Sequence, residues 1–277
     1  MMTAIVTQGS TKLSRFPWMA GIAGLLVGLA IVWFWRDFAN WWAIEPYRSG
    51  LTYAMMWGDI GWDLVSPVVF GQLVIVGFLH TLMLPGQGKL PIFACLLHNQ
   101  PQNRTFFSWI LRAWGLKCGM LAVVFCNVLF LKYVSFTTLN LYISIINGIG
   151  YLITILLALL LVRDAWRLSR SSSTSLSQLR LPLVLVLGFQ FPWYAVFALH
   201  SAREYEHMLL GWSMVAAMMT GILLAYLVTA WLALVVRNML GEAACQARRG
   251  QFALFSAMVM LCVTGKILFI FALQILK

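Results

Sequence analysis

Apolar residues recur along this chain in runs of about 20, the length at which an α-helix rising 1.5 Å per residue crosses a ~30 Å hydrocarbon layer. Between the runs lie shorter stretches that collect Pro, Gly, Ser and most of the charged residues. Runs of this length fit neither the strict alternation of a half-buried strand nor the roughly 10-residue alternating segments of an outer-membrane barrel. The pattern predicts an all-α, polytopic transmembrane helix bundle of about seven spans, drawn over residues 17–35, 63–84, 113–135, 139–162, 181–199, 208–236 and 252–276. At about 35–40 residues per span and connection, the 277 residues make a single integral membrane domain.

Composition strengthens this picture. The chain is 62% hydrophobic and 10% charged, whereas soluble domains hold about 45–50% apolar and about 25% charged residues. The net charge of +11 would raise the question of nucleic acid in a soluble domain. Here it reads as an orientation signal, because basic side chains are retained on the cytoplasmic side of a bilayer. Thirteen basic residues fall in the tail and alternate connections that hold Lys12, Arg15, Lys89, Arg104, Arg112, Lys117, Arg163, Arg167, Arg170, Arg180, Arg237, Arg248 and Arg249, against five on the other side, Arg36, Arg48, Lys132, Arg203 and Lys277. That asymmetry predicts a cytoplasmic N-terminus and an external C-terminus, and places the protein in the inner (plasma) membrane. Lys12 and Arg15 precede an apolar stretch that resembles a signal peptide. The stretch is long and ends in Trp33, Phe34 and Trp35, so it reads as a retained anchor.

Several connections acquire roles from their residues. Trp33, Trp35, Trp41, Trp42, Trp57 and Trp62 crowd the outer ends of the first two spans as an interfacial belt. Residues 89–102 read as a segment lying along the inner interface, and the Ser-rich run 169–177 as a flexible linker. Gly24 and Gly28, with Gly21 one turn earlier, form a small-residue face suited to close helix packing, within the bundle or against a subunit.

The chemistry-bearing residues are few. Lys266 lies inside the last span, where a lysine is disfavoured by about 2.5–3.5 kcal/mol unless it meets protein, water or a counter-charge. Its candidate partners are Asp63 and Asp59 at the outer end of the second span, or an acid supplied by another subunit. Asp59 and Asp63, with Glu45, could also form an external cation-binding patch, or mark the solvated start of a helix. In the string HSAREYEH, His200, Glu204 and His207 share one helical face and could hold a transition metal, although turn polarity explains the same residues. His80 within a span and His98 in a connection do not supply the facing pair that a two-haem cytochrome needs. The cysteines, Cys95, Cys118, Cys126, Cys245 and Cys262, form neither a CxxC pair nor a disulfide framework. Motifs of soluble-type catalysis, GxSxG, HExxH and the P-loop, are absent.

These residues lead to the expectation of a non-enzymatic membrane subunit that anchors and packs within a larger assembly. Its partners are other membrane-protein subunits and the bilayer, with no nucleic acid. No cofactor is required by the motifs, a metal ion or haem being the exception the histidines allow. The competing expectation is a transporter or channel-like protein in which Lys266 serves an anion or a coupled proton. A membrane metal or haem redox protein is the third. The orientation is checked by reporter fusions at residue 12, in 163–180, in 237–250 and at the C-terminus. The first three should report the cytoplasm and the last the exterior, and a cytoplasmic C-terminus would contradict the span count or the orientation.

Overall fold

The computed structural model describes residues 17–39, 67–83, 89–99, 103–130, 136–170, 179–189 and 208–275. Among these residues every regular element is helical: α1 (Pro17–Ala39), α2 (Pro67–Met83), α3 (Lys89–Asn99), α4 (Asn103–Phe130), α5 (Phe136–Arg170), α6 (Arg180–Phe189), α7 (Met208–Leu240) and α8 (Glu242–Ile275). Proline sits within the first turn of four of them, as Pro17, Pro67, Pro91 and Pro182. There its missing N–H costs nothing, because the first-turn N–H groups have no intrahelical acceptor.

Among the described residues, four stretches are long and apolar enough to cross a membrane: Arg104–Val124 in α4, Ile145–Leu168 in α5, Gly211–Leu240 in α7 and Glu242–Phe269 in α8. The apolar stretches Trp18–Phe34 and Phe70–Leu79 are shorter. The polar ends of the long helices differ from the sequence expectation. Residues 163–170 continue α5 rather than opening a loop, and 242–250 begin α8. Both stretches carry Arg and Ala, which are good helix formers, and a helix that has left the bilayer still keeps its backbone bonded in water. The chain breaks at Gly241 alone between α7 and α8. Its φ of +78° is the left-handed conformation that glycine adopts without strain, and its N–H bonds to the Arg237 carbonyl at 3.0 Å, closing α7. Glu242 then opens α8 in the first turn, where a carboxylate meets the positive end of the helix dipole.

α7 is the central helix. It packs on α2, α3, α4 and α8, and Met218, Ile222, Tyr226, Thr229 and Ala233 are buried along it. α8 packs on α1, α5 and α3. α3, expected along the inner interface, is instead buried among α6, α7 and α8, with Ile92, Ala94, Cys95 and Leu96 wholly inaccessible. Its apolar residues surround the helix rather than forming the single stripe of an interfacial segment, so burial on several sides satisfies them better.

Glycine sets the helix spacing. A Cβ on Gly24 would stand 2.5 Å from the Phe255 carbonyl oxygen, and one on Gly28 2.8 Å from Cys262 Cβ. The small face of α1 is therefore used within the bundle, against α8. Gly77 of α2 and Gly221 of α7 face each other's backbone, at Met218 and at Val74 to Phe78, more closely than any side chain would permit. Such approach is how helices gain packing energy where lipid removes the hydrophobic drive between them. Threonines in the long helices turn their hydroxyls back to the preceding turn, Thr154 to Gly150 at 2.8 Å and Thr229 to Ala225 at 2.7 Å, so no polar group is left unsatisfied at these positions.

α1 and α8 run in the same direction: Gly21 meets Leu254, Gly28 meets Val259 and Cys262, and Val32 meets Lys266. Gly250 approaches Ala165 and Leu168, and Trp18 stacks edge-on to Trp166 at 6.0 Å. One end of the bundle thus gathers the starts of α1 and α8, the end of α5 and, through Gly241, the end of α7. Gly24→Val and Gly221→Val should each lower stability in detergent by about 1–3 kcal/mol through overpacking. Gly119→Ala, whose Cβ would meet open space, should be neutral or stabilising by up to about 1 kcal/mol from helix propensity. Thermal denaturation of the three variants checks this, and an unchanged Gly24→Val would contradict the close α1–α8 contact.

Candidate functional site: lysines inside the bundle

Among the described residues, three lysines direct their ammonium groups into the helix bundle, and each finds a neutral oxygen. Lys266, in α8, is half-buried and donates to the Val32 carbonyl of α1 at 2.5 Å. Among the described residues it forms no ion pair. The helix that presents it also carries Cys262 and Val259 against Gly28, so the same contact that brings α1 close places Val32 within reach. On the outward side, Trp33 and Phe269 are exposed and Gly265 faces open space.

The sequence count places Lys117 among the cytoplasmic basic residues, and the structure places it in the interior instead. α4 begins at Asn103, ten residues before the expected span, because Phe106, Trp109 and Ile110 are apolar enough to be buried despite Arg104 and Arg112 nearby. That shift carries Lys117 deep into the helix, where it is 1% exposed. Its Nζ lies 2.8 Å from Tyr226 Oη of α7 and 5.2 Å from the centroid of the same ring. Trp114, three residues earlier and so on the same face, donates its indole N–H to the Met219 carbonyl of α7 at 3.0 Å. The signal that would have found this site is the apolar run 106–110 ahead of Arg112, which moves the span toward the N-terminus.

Lys89 caps α2. Its ammonium donates to the Leu82 carbonyl, in the last turn of α2, where the free carbonyls and the negative end of the dipole favour a cation. α3, which supplies Lys89, is 11 residues long and at 1.5 Å per residue too short to cross a bilayer. Burial lowers Lys89 from the ordinary 10.5 to about 8. In the same helix, burial pushes the Cys95 thiol up, which leaves it an inert part of the core.

Asp59, Asp63, Glu45, His200, Glu204 and His207 lie outside the described residues, as do the side chains of His80 in α2 and His98 in α3. Among the described residues, no three His, Cys, Asp or Glu side chains group as metal ligands. Asp164 is buried at the end of α5, with Arg163 at 3.7 Å. The fold and its interior lysines define an α-helical membrane protein. Comparison with protein-family models, with curated proteins and with solved structures finds no match.

The Lys89 environment has a pH consequence. The folded chain holds this proton less tightly than the unfolded one, so between about pH 8 and 10.5 the unfolded state binds more protons and stability rises with pH. The cost of burying the charged form is fully present below about 8 and relieved above 10.5. Lys89→Met should flatten that rise. Thermal denaturation of wild type and variant across this window checks it, and parallel curves would show that Lys89 does not titrate there.

Proposed function

We propose that the protein is a non-enzymatic, multi-pass subunit of the inner (plasma) membrane that packs within a larger membrane assembly through the seam between α1 and α8. The observation that carries this reading is Lys266: its ammonium meets a backbone carbonyl rather than a carboxylate among the described residues, beside exposed Trp33 and Phe269. A carbonyl satisfies a hydrogen bond and leaves the charge. An acidic residue on a neighbouring transmembrane helix would neutralise it, which gives a physical reason to associate.

The seven-span topology belongs to the same proposal. The common direction of α1 and α8 supports an odd number of crossings between them. The gathering of Arg163, Arg167, Arg248 and Arg249 near the end where α1 and α8 begin supports a cytoplasmic N-terminus. Expected partners are other membrane-protein subunits and lipid, with no nucleic acid and no cofactor required.

Purification in mild detergent tests this reading. A stoichiometric partner should accompany the wild type and Lys266→Arg and be lost from Lys266→Met while the chain itself still inserts. If instead Asp63 neutralises Lys266 within the chain, Asp63→Asn should be less harmful in the Lys266→Met background than alone. A monodisperse single chain whose state is indifferent to Lys266 would contradict the proposal.

A further inference from the structure

The buried pair between α4 and α7 takes no part in the subunit docking proposed at the α1–α8 seam. An ammonium has three N–H donors, and among the described residues Lys117 has one oxygen to give them to, Tyr226 Oη. The helices that meet there, α4, α6 and α7, contain no Asp or Glu anywhere in their length. Their other charged or titratable groups are Arg104, Arg112 and the cysteines on α4, Arg180 at the start of α6, and Arg237 near the end of α7. Of these, Cys118 is the immediate neighbour. Nothing on these helices fixes the charge of Lys117 by pairing it with an anion.

The geometry serves the amine in both of its states. With a proton bound, the ammonium donates to the phenol oxygen at 2.8 Å and lies 5.2 Å from the centroid of an electron-rich ring. With the proton gone, the phenol turns its O–H toward the amine lone pair, and the same 2.8 Å contact holds. An ionisable residue inside a membrane bundle is by default a candidate functional group, and here its hydrogen-bond partner is itself titratable. Trp114, bonded to the Met219 carbonyl, fixes the face of α4 on which Lys117 stands.

We infer that Lys117 and Tyr226 form a proton-binding site in the interior of the bundle, its ligand a single proton taken from water. On binding, the lone pair of Lys117 Nζ forms a new N–H bond and the Tyr226 hydroxyl changes from donor to acceptor. Release breaks that N–H bond and reverses the change. The site is independent of the packing role, since it needs no partner subunit.

The chain has six lysines, Lys12, Lys89, Lys117, Lys132, Lys266 and Lys277, which makes the test direct. Protein labelled with 15N at lysine is placed in phosphatidylcholine nanodiscs, and the Nζ resonances are followed by solid-state NMR from mildly acidic to strongly alkaline buffer. One resonance, absent from Lys117→Met, should change position with pH, and its midpoint should move in Tyr226→Phe, which keeps the ring and removes the hydroxyl. Should Lys117→Met fail to fold, the resonance moved by Tyr226→Phe beyond the scatter of the others identifies the site. A Lys117 resonance fixed over the whole range, or one that titrates identically with and without the Tyr226 hydroxyl, overturns the proposal.

Discussion

A positive charge carried into an apolar bundle must be given an oxygen, and this chain has few carboxylates to offer: 8 Asp and Glu against 19 Lys and Arg. The described interior meets the requirement with neutral oxygens. Lys89 joins the start of α3 to the last turn of α2, Lys117 joins α4 to α7, and Lys266 joins α8 to α1. Each contact crosses between helices, so each depends on their separation. A neutral acceptor removes the hydrogen-bonding deficit of an ammonium without cancelling its charge. The residual charge is the physical basis of the docking role proposed for Lys266 and of the proton site inferred at Lys117.

Those separations are set by glycine. The α1–α8 contact proceeds through Gly21, Gly24 and Gly28, and Val32 arrives opposite Lys266 as the next step of the same parallel register. α2 and α7 meet at Gly77 and Gly221, which seats α7 firmly in the centre, where Tyr226 is buried for Lys117. In lipid no hydrophobic force brings apolar helices together, so short backbone distances and polar contacts between helices carry more of the association than they would in water. The glycine faces and the lysine contacts are two parts of one packing solution.

Much of this was readable in the sequence. The runs that became α5, α7 and α8 are apolar over whole membrane thicknesses, and the GxxxG spacing in α1 marked a packing face. What escaped notice had a physical cause in each case. Polarity at 163–170 and 242–250 suggests loops, yet helix propensity extends α5 and α8 through them, and α8 continues past Gly250. Lys117 lies at the start of the span drawn over 113–135 and counts with Arg104 and Arg112 among the cytoplasmic basic residues. The burial of Phe106, Trp109 and Ile110 draws that whole segment into the bundle. The partner of Lys266 could not be read at all, because a backbone carbonyl leaves no mark on a sequence. The candidate acids and histidines at 59–63 and 200–207 lie outside the described residues.

The central claim is that Lys117 and Tyr226 act as one unit across α4 and α7. A double-mutant cycle in thermal or denaturant unfolding, with Lys117→Met, Tyr226→Phe and the pair, measures it most directly. The account predicts a coupling of about 0.5–3 kcal/mol, because removing the phenol hydroxyl strands the buried amine whereas removing both groups strands nothing. Strictly additive effects of the two substitutions would contradict it.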